Sequence, residues 1–168
     1  MIARAWLSLL VFVPLFGCAS APLAHRDVVV AADIDDAHHL ELLQRRVLAS
    51  NARDWDAWQA LHTEQCVRTS PDLSAPLVGS AAMRASISKL VESFPDYRVD
   101  LLRVVGHGDW AAATLTASGT FGLTGTHFAQ TWTAFVRFDG DRIAEFHEHY
   151  DTLDLVQQLA GLSSPKPF

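Results

Sequence analysis

The chain has 168 residues, a formal charge of −6 at pH 7 and no basic run or stripe, which excludes nucleic acid as an expected partner. About 130 residues follow the amino-terminal region, enough for one sizeable core and so for one domain. With only Cys18 and Cys66, the sequence holds no disulfide framework.

Residues 1–17 read as a signal peptide. Arg4 is the only charge, and Ala5 to Phe16 is an apolar run too short to span a bilayer. The run closes with Leu15-Phe16-Gly17-Cys18, which resembles a bacterial lipobox. The resemblance implies that Cys18 is lipidated and begins the mature chain, leaving Cys66 without an intramolecular disulfide partner. Ala19 follows the cysteine, and the likeness to enterobacterial lipoproteins then implies a lipid anchor in the outer membrane, facing the periplasm. Residues 18–34 contain Pro22, several alanines and little periodicity, so a tether is expected there.

From Asp35 the pattern turns helical, with Leu40, Leu43, Val47 and Leu48 at spacings of three and four. Asn51-Ala52-Arg53 breaks this helix, and Asp54 caps a second one carrying Trp55, Trp58 and Leu61. Cys66 to Thr69 is a short strand. Gly79-Ser80 opens a third helix with the apolar stripe Met83, Ile87, Leu90, Val91 and Phe94, and Pro95 stops it. The period then becomes two. Strands are predicted over Tyr97 to Val105, Trp110 to Phe121, Thr126 to Phe138 and Arg142 to Tyr150, with a hairpin at Asp139-Gly140. Thr152 to Leu159 is a short closing helix, and 163–168 is a tail. Helices first and an antiparallel meander second predict an α+β domain over 35–162, with the helices packed on one sheet face.

The last strand carries the chemistry. Strict alternation puts Ile143, Glu145, His147, His149 and Asp151 on one face, two imidazoles among two carboxylates. Such groups do acid–base work near neutral pH. A two-residue turn at Asp139-Gly140 pairs Trp132 with His147 and Gln130 with His149, and puts Phe128 near Asp151. A one-residue shift of the turn keeps this face, and a three-residue loop reverses it. The expected pocket is therefore an apolar wall with a few polar groups, lined by Phe128, Gln130, Trp132 and Glu145 below and roofed by Trp55 and Trp58. His147 and His149, about 7 Å apart on alternate positions, also suit zinc with Asp151 or His127. Hydrogen-bonded pocket histidines are the simpler reading, and no metal is expected. Asp151 fits the cap of the closing helix as well as it fits a catalytic role.

Several local features line up in order: Asn51-x-x-Asp54, Gly79, Phe94-Pro95-Asp96, Asp139-Gly140-Asp141-Arg142-Ile143-x-Glu145, Asp151 and Gln157-Gln158-Leu159. Together, over about Leu40 to Gly161, they resemble the SnoaL-like polyketide cyclases of the NTF2-like superfamily. The resemblance implies an α+β cone with a deep pocket between helices and concave sheet. It also implies that Asp151 is the acid–base group of a cyclase or isomerase needing no metal or cofactor, acting on an apolar molecule with a carbonyl. His147 stands where many relatives have tryptophan, and Gln130 to Ala134 lacks the relatives' partner histidine. Phe135, Phe146 and Tyr150 are expected on the opposite sheet face, where relatives often form homodimers. Three functions are carried forward: an enzyme using Asp151 with His147 or His149, a ligand-binding lipoprotein, and an association module.

Overall fold

The computed structural model describes residues 29–30 and 37–163. The expected signal peptide, Cys18, most of the tether and residues 164–168 of the tail lie outside the described residues.

Strand β1 (Val29–Val30) precedes helix α1 (Ala37–Ala52) and helix α2 (Trp55–Ala60). Strands β2 (His62–Thr69) and β3 (Leu77–Val78) lead into helix α3 (Ser80–Ser93). The long strands β4 (Arg98–His107), β5 (Trp110–Thr120), β6 (His127–Asp139) and β7 (Arg142–His149) follow, and helix α4 (Thr152–Leu159) closes the domain. The strands form one seven-stranded sheet in the order β1-β4-β5-β6-β7-β2-β3. The α+β class expected from the sequence is what the chain adopts, with α1 lying across β4. Val29 and Val30 pair parallel with Arg103 and Val104, so the sheet recruits two residues of the stretch read as a tether.

Local chemistry sets the boundaries. Arg53 ends α1 in the left-handed region at φ 61°, and its guanidinium donates to the carbonyls of Ser50, Pro95 and Tyr97. Asp54 then caps α2 by accepting from the Ala57 amide at 3.0 Å. Asn51 is a latch rather than a breaker. Its amide donates to the Val99 carbonyl at 2.7 Å and accepts from the Val99 amide at 2.9 Å, which satisfies the start of β4. The buried stripe of α1 is Leu42, Leu43, Arg46 and Val47, while Leu48 is 66 % exposed. His38 and His39, for which the sequence offered no partner, meet Asp141 at 2.9 Å and stack on Phe138 at 3.9 Å.

The faces of the meander depend on two bulges. Between β4 and β5 the register skips at Leu102, so Leu101 and Val104 both face the core. Between β6 and β7 it skips at Ala144: Phe138 pairs with Ile143, but Arg137 pairs with Glu145. A bulge places two residues opposite one, bends the strand and reverses the alternation beyond it. The core therefore takes Ile143, Phe146 and Glu148 from β7, facing α1 and α2. Glu145, His147 and His149 lie on the other face. The turn itself is two residues, Gly140-Asp141, with Asp139 paired to Arg142 and Gly140 at φ 54°.

Candidate functional site

The helix side of the sheet gathers most of the buried polar groups. Cross-strand rows put Leu101, Leu115 and Trp132 side by side, then Val104, Ala113, Ala134 and Glu148, then Gly106, Ala111, Val136, Phe146 and Arg68. The alanines and Gly106 make the floor low at its centre. Above it stand Arg46 from α1 and Trp58 from α2, 8 % and 2 % exposed. The apolar stripe of α3 is only half covered: Met83 is buried, but Ile87, Leu90 and Val91 keep part of their surface open. Tyr97, Phe121, Tyr150 and Leu155 are likewise only partly buried against the core.

Arg46 lies over the Phe146 ring, 3.9 Å from its centre, and 5.2 Å from that of Trp58. Its Nε donates to His62 Nε2 at 3.4 Å, and His62 Nδ1 donates to the Trp58 carbonyl at 2.9 Å. That pair of bonds fixes a neutral imidazole, because Nε2 must accept. Burial, helped by the Arg46 charge, lowers the His62 pKa to about 3. Burial also lowers Arg46 to about 10, which leaves it charged at neutral pH. Arg68 Nη2 donates to Glu148 Oε2 at 2.5 Å. Burial and the Glu148 charge push the Tyr97 hydroxyl well above the usual tyrosine range. Trp132, 8 % exposed, meets Phe146 edge-on at 6.0 Å, and its indole N–H is buried without a hydrogen-bond partner.

Of the residues singled out from sequence, Phe128, Gln130, Trp132 and Trp58 share this side. Phe128 is core, edge-on to Phe94 at 5.2 Å, and Gln130 donates to the Asp151 carbonyl at 2.6 Å. Trp55 packs instead in a smaller cluster with Trp58, Cys66 and Met83. His147, His149 and Glu145 are not in the cavity expected for them, because the Ala144 bulge turns them to the outer face. There His147 bonds Glu145 and Thr69, each at 2.8 Å, and stacks near Trp110. Glu145 also accepts from Arg137 at 2.6 Å, and Arg137 and His147 hold its carboxyl below the usual range. His149 is exposed, edge-on to Phe135. Asp151 is an exposed cap: its carboxylate accepts from the Asp154 amide at 2.9 Å. Among the described residues, no three His, Cys, Asp or Glu side chains gather as a metal would need.

Sequence reasoning missed Arg46, His62, Arg68, Tyr97 and Glu148. The signal for Arg46 was present, since a charge at the three-and-four spacing of Leu42 and Leu43 sits on an apolar stripe. For Glu148 there was none, because its face depends on the bulge.

A family model for the SnoaL-like domain matches residues 43–146, more than half of the chain. The chain belongs to the SnoaL-like domain family. Solved structures agree on the fold. A proposed polyketide cyclase from Pseudomonas putida is 27 % identical with a TM-score of 0.60, covering 70 % of this chain and 95 % of that one. An LEH-like epoxide hydrolase from Mycobacterium tuberculosis is 14 % identical with a TM-score of 0.64, over 74 % and 90 % of the two chains. A protein from Catenulispora acidiphila with a ketosteroid-isomerase-like fold, solved with trimethylamine, is 16 % identical with a TM-score of 0.66, over 76 % and 98 %. No protein of curated function matches the sequence. The SnoaL-like chain is thus an NTF2-like α+β domain, as its sequence motifs implied, and relatives of the same fold carry names of different chemistries.

Proposed function

We propose that this protein is a small-molecule-binding SnoaL-like lipoprotein whose ligand lies on the helix side of the sheet, among Arg46, Trp58, Phe128, Trp132 and Glu148. One observation carries the reading: the Trp132 indole N–H is buried with no acceptor. An orphaned buried donor costs about 1–3 kcal/mol, and an oxygen acceptor on an apolar ligand, such as a carbonyl, removes that cost. The half-covered stripe of α3 gives such a ligand an apolar wall. Trp132→Phe keeps the bulk and loses the donor. Small molecules that co-purify with the wild-type chain, identified by mass spectrometry, are expected to rebind this variant about ten-fold more weakly. Equal affinity would remove Trp132 from the site.

Acid–base turnover is the second reading, and on this side of the sheet the carboxylate that can serve it is Glu148, beside Tyr97. With a true substrate, Glu148→Gln is expected to abolish turnover and Asp151→Asn to spare it; the reverse result restores the role implied for Asp151 by resemblance.

The anchor belongs to the same proposal. Leu15-Phe16-Gly17-Cys18 supports lipidation at Cys18 and a place in the cell envelope, on the periplasmic face of the outer membrane. Intact-mass analysis of the mature protein is expected to show acyl groups on Cys18, lost in Cys18→Ser.

A further inference from the structure

We propose that the helix-side interior takes an anion, a monocarboxylate on an apolar body, with Arg46 as its counter-ion. The inference rests on the reading of this face as the ligand site and names the charge class of what fills it.

The interior charges do not balance. Two guanidinium groups, Arg46 and Arg68, face one carboxylate, Glu148, and that carboxylate is already bonded to Arg68 at 2.5 Å. Arg46 takes part in none of the ion pairs among the described residues. Its one hydrogen bond there runs from Nε to His62, a neutral ring. The remaining groups near it, Tyr97 and Cys66, are both pushed up by burial and stay uncharged at neutral pH. Asp72 comes close to Arg68, not Arg46; it is exposed and bonded to the hydroxyls of Ser70 and Tyr150.

Glu148, already bonded to Arg68, also attracts the Arg46 charge, and the Phe146 and Trp58 rings lie against it. These offset only part of the several kcal/mol that burying an ion outside a salt bridge costs. A carboxylate matches the free edge of a guanidinium with two parallel hydrogen bonds, which an ester or ketone cannot do. Trp132 supplies a further donor from the same wall, since its ring and the Arg46 guanidinium both lie against Phe146, at 6.0 and 3.9 Å. The orphaned donor and the excess positive charge thus belong to side chains that share one aromatic neighbour, Phe146.

The test compares 2-naphthylacetate with 2-naphthylacetamide, which match in shape and differ in charge, by isothermal titration calorimetry at pH 7. The acetate is expected to bind once per chain and at least ten-fold more tightly than the amide. Arg46→Met is expected to erase that preference. Glu148→Gln, which removes the competing negative charge, is expected to widen it, and it keeps the proposal testable if Arg46→Met does not fold. Equal binding of both probes to the wild type, weakened by Trp132→Phe, would overturn the anion and leave the ligand site standing. Acetate preference unchanged in Arg46→Met would also overturn it. Binding of neither probe would overturn both readings.

Discussion

Arg46 and the Trp58 carbonyl fix the protonation of His62. The guanidinium needs a lone pair at Nε2, and the Trp58 carbonyl takes the proton at Nδ1, so the buried imidazole stays neutral. Its folded pKa of about 3 lies below the ordinary 6.5. As the pH falls, the unfolded chain therefore takes up a proton that the folded chain refuses. The stability held by a neutral His62 is complete above about pH 6.5 and drains between there and about pH 3. Between pH 7 and 5 the loss is of order 2 kcal/mol. His62→Gln has no ring to protonate, so its urea-unfolding free energy should fall by clearly less over that range. Equal pH slopes for both proteins would show that His62 does not titrate this way. None of this was readable in sequence, where His62 was not singled out.

Strand β6 is longer than its neighbour β7, and α4 completes what β7 leaves open. Beyond Thr133, which pairs with His149, no strand among the described residues pairs with that edge of β6. Gln158, 1 % exposed, fills the gap: its amide accepts from the Ala129 amide at 2.9 Å and donates to the Ala129 carbonyl at 3.2 Å. Asp151 holds the start of the same helix. Asp151→Ala should cost about 1 kcal/mol of stability, and Asp151→Asn, which still caps, close to none. Thermal melts of the two variants decide it, and a large loss for Asp151→Asn would mean that the charge has a further role. The helix was legible from its apolar spacing and cap residues, down to its residue range. Which of cap or catalyst Asp151 serves was not, because both use the same carboxylate at the same position.

The outer face of the sheet carries the apolar patch expected to join two copies, but with other members. Phe146 is fully buried and Tyr150 packs against the core, both on the helix side. Phe135, Trp110 and Val105 remain, 52, 43 and 41 % exposed. Val105, Ala112, Phe135 and His147 form one cross-strand row, with Trp110 stacked by His147. Leaving such a patch wet costs about 25 cal/mol per Å². A homodimer through this face is therefore expected, and Phe135→Glu should convert it to a monomer by light scattering. A wild-type monomer at micromolar concentration would dismiss the idea.

Periodicity and punctuation by themselves determined the helices, the four long strands, the α+β class and the family motifs. These signals are local, each written in a few adjacent residues. The sequence alone also marked Phe128, Gln130 and Trp132 as facing one way, because alternation within β6 is unbroken, and put Trp58 above them from the helical spacing of α2. Only the tertiary structure decided the face of β7. One extra residue at Ala144 exchanges His147 and His149 for Phe146 and Glu148, and a bulge is chosen by how two strands bend together over a core. The Arg46 environment is equally non-local: Trp58, His62, Phe146 and Glu148 reach it from α2, β2 and β7.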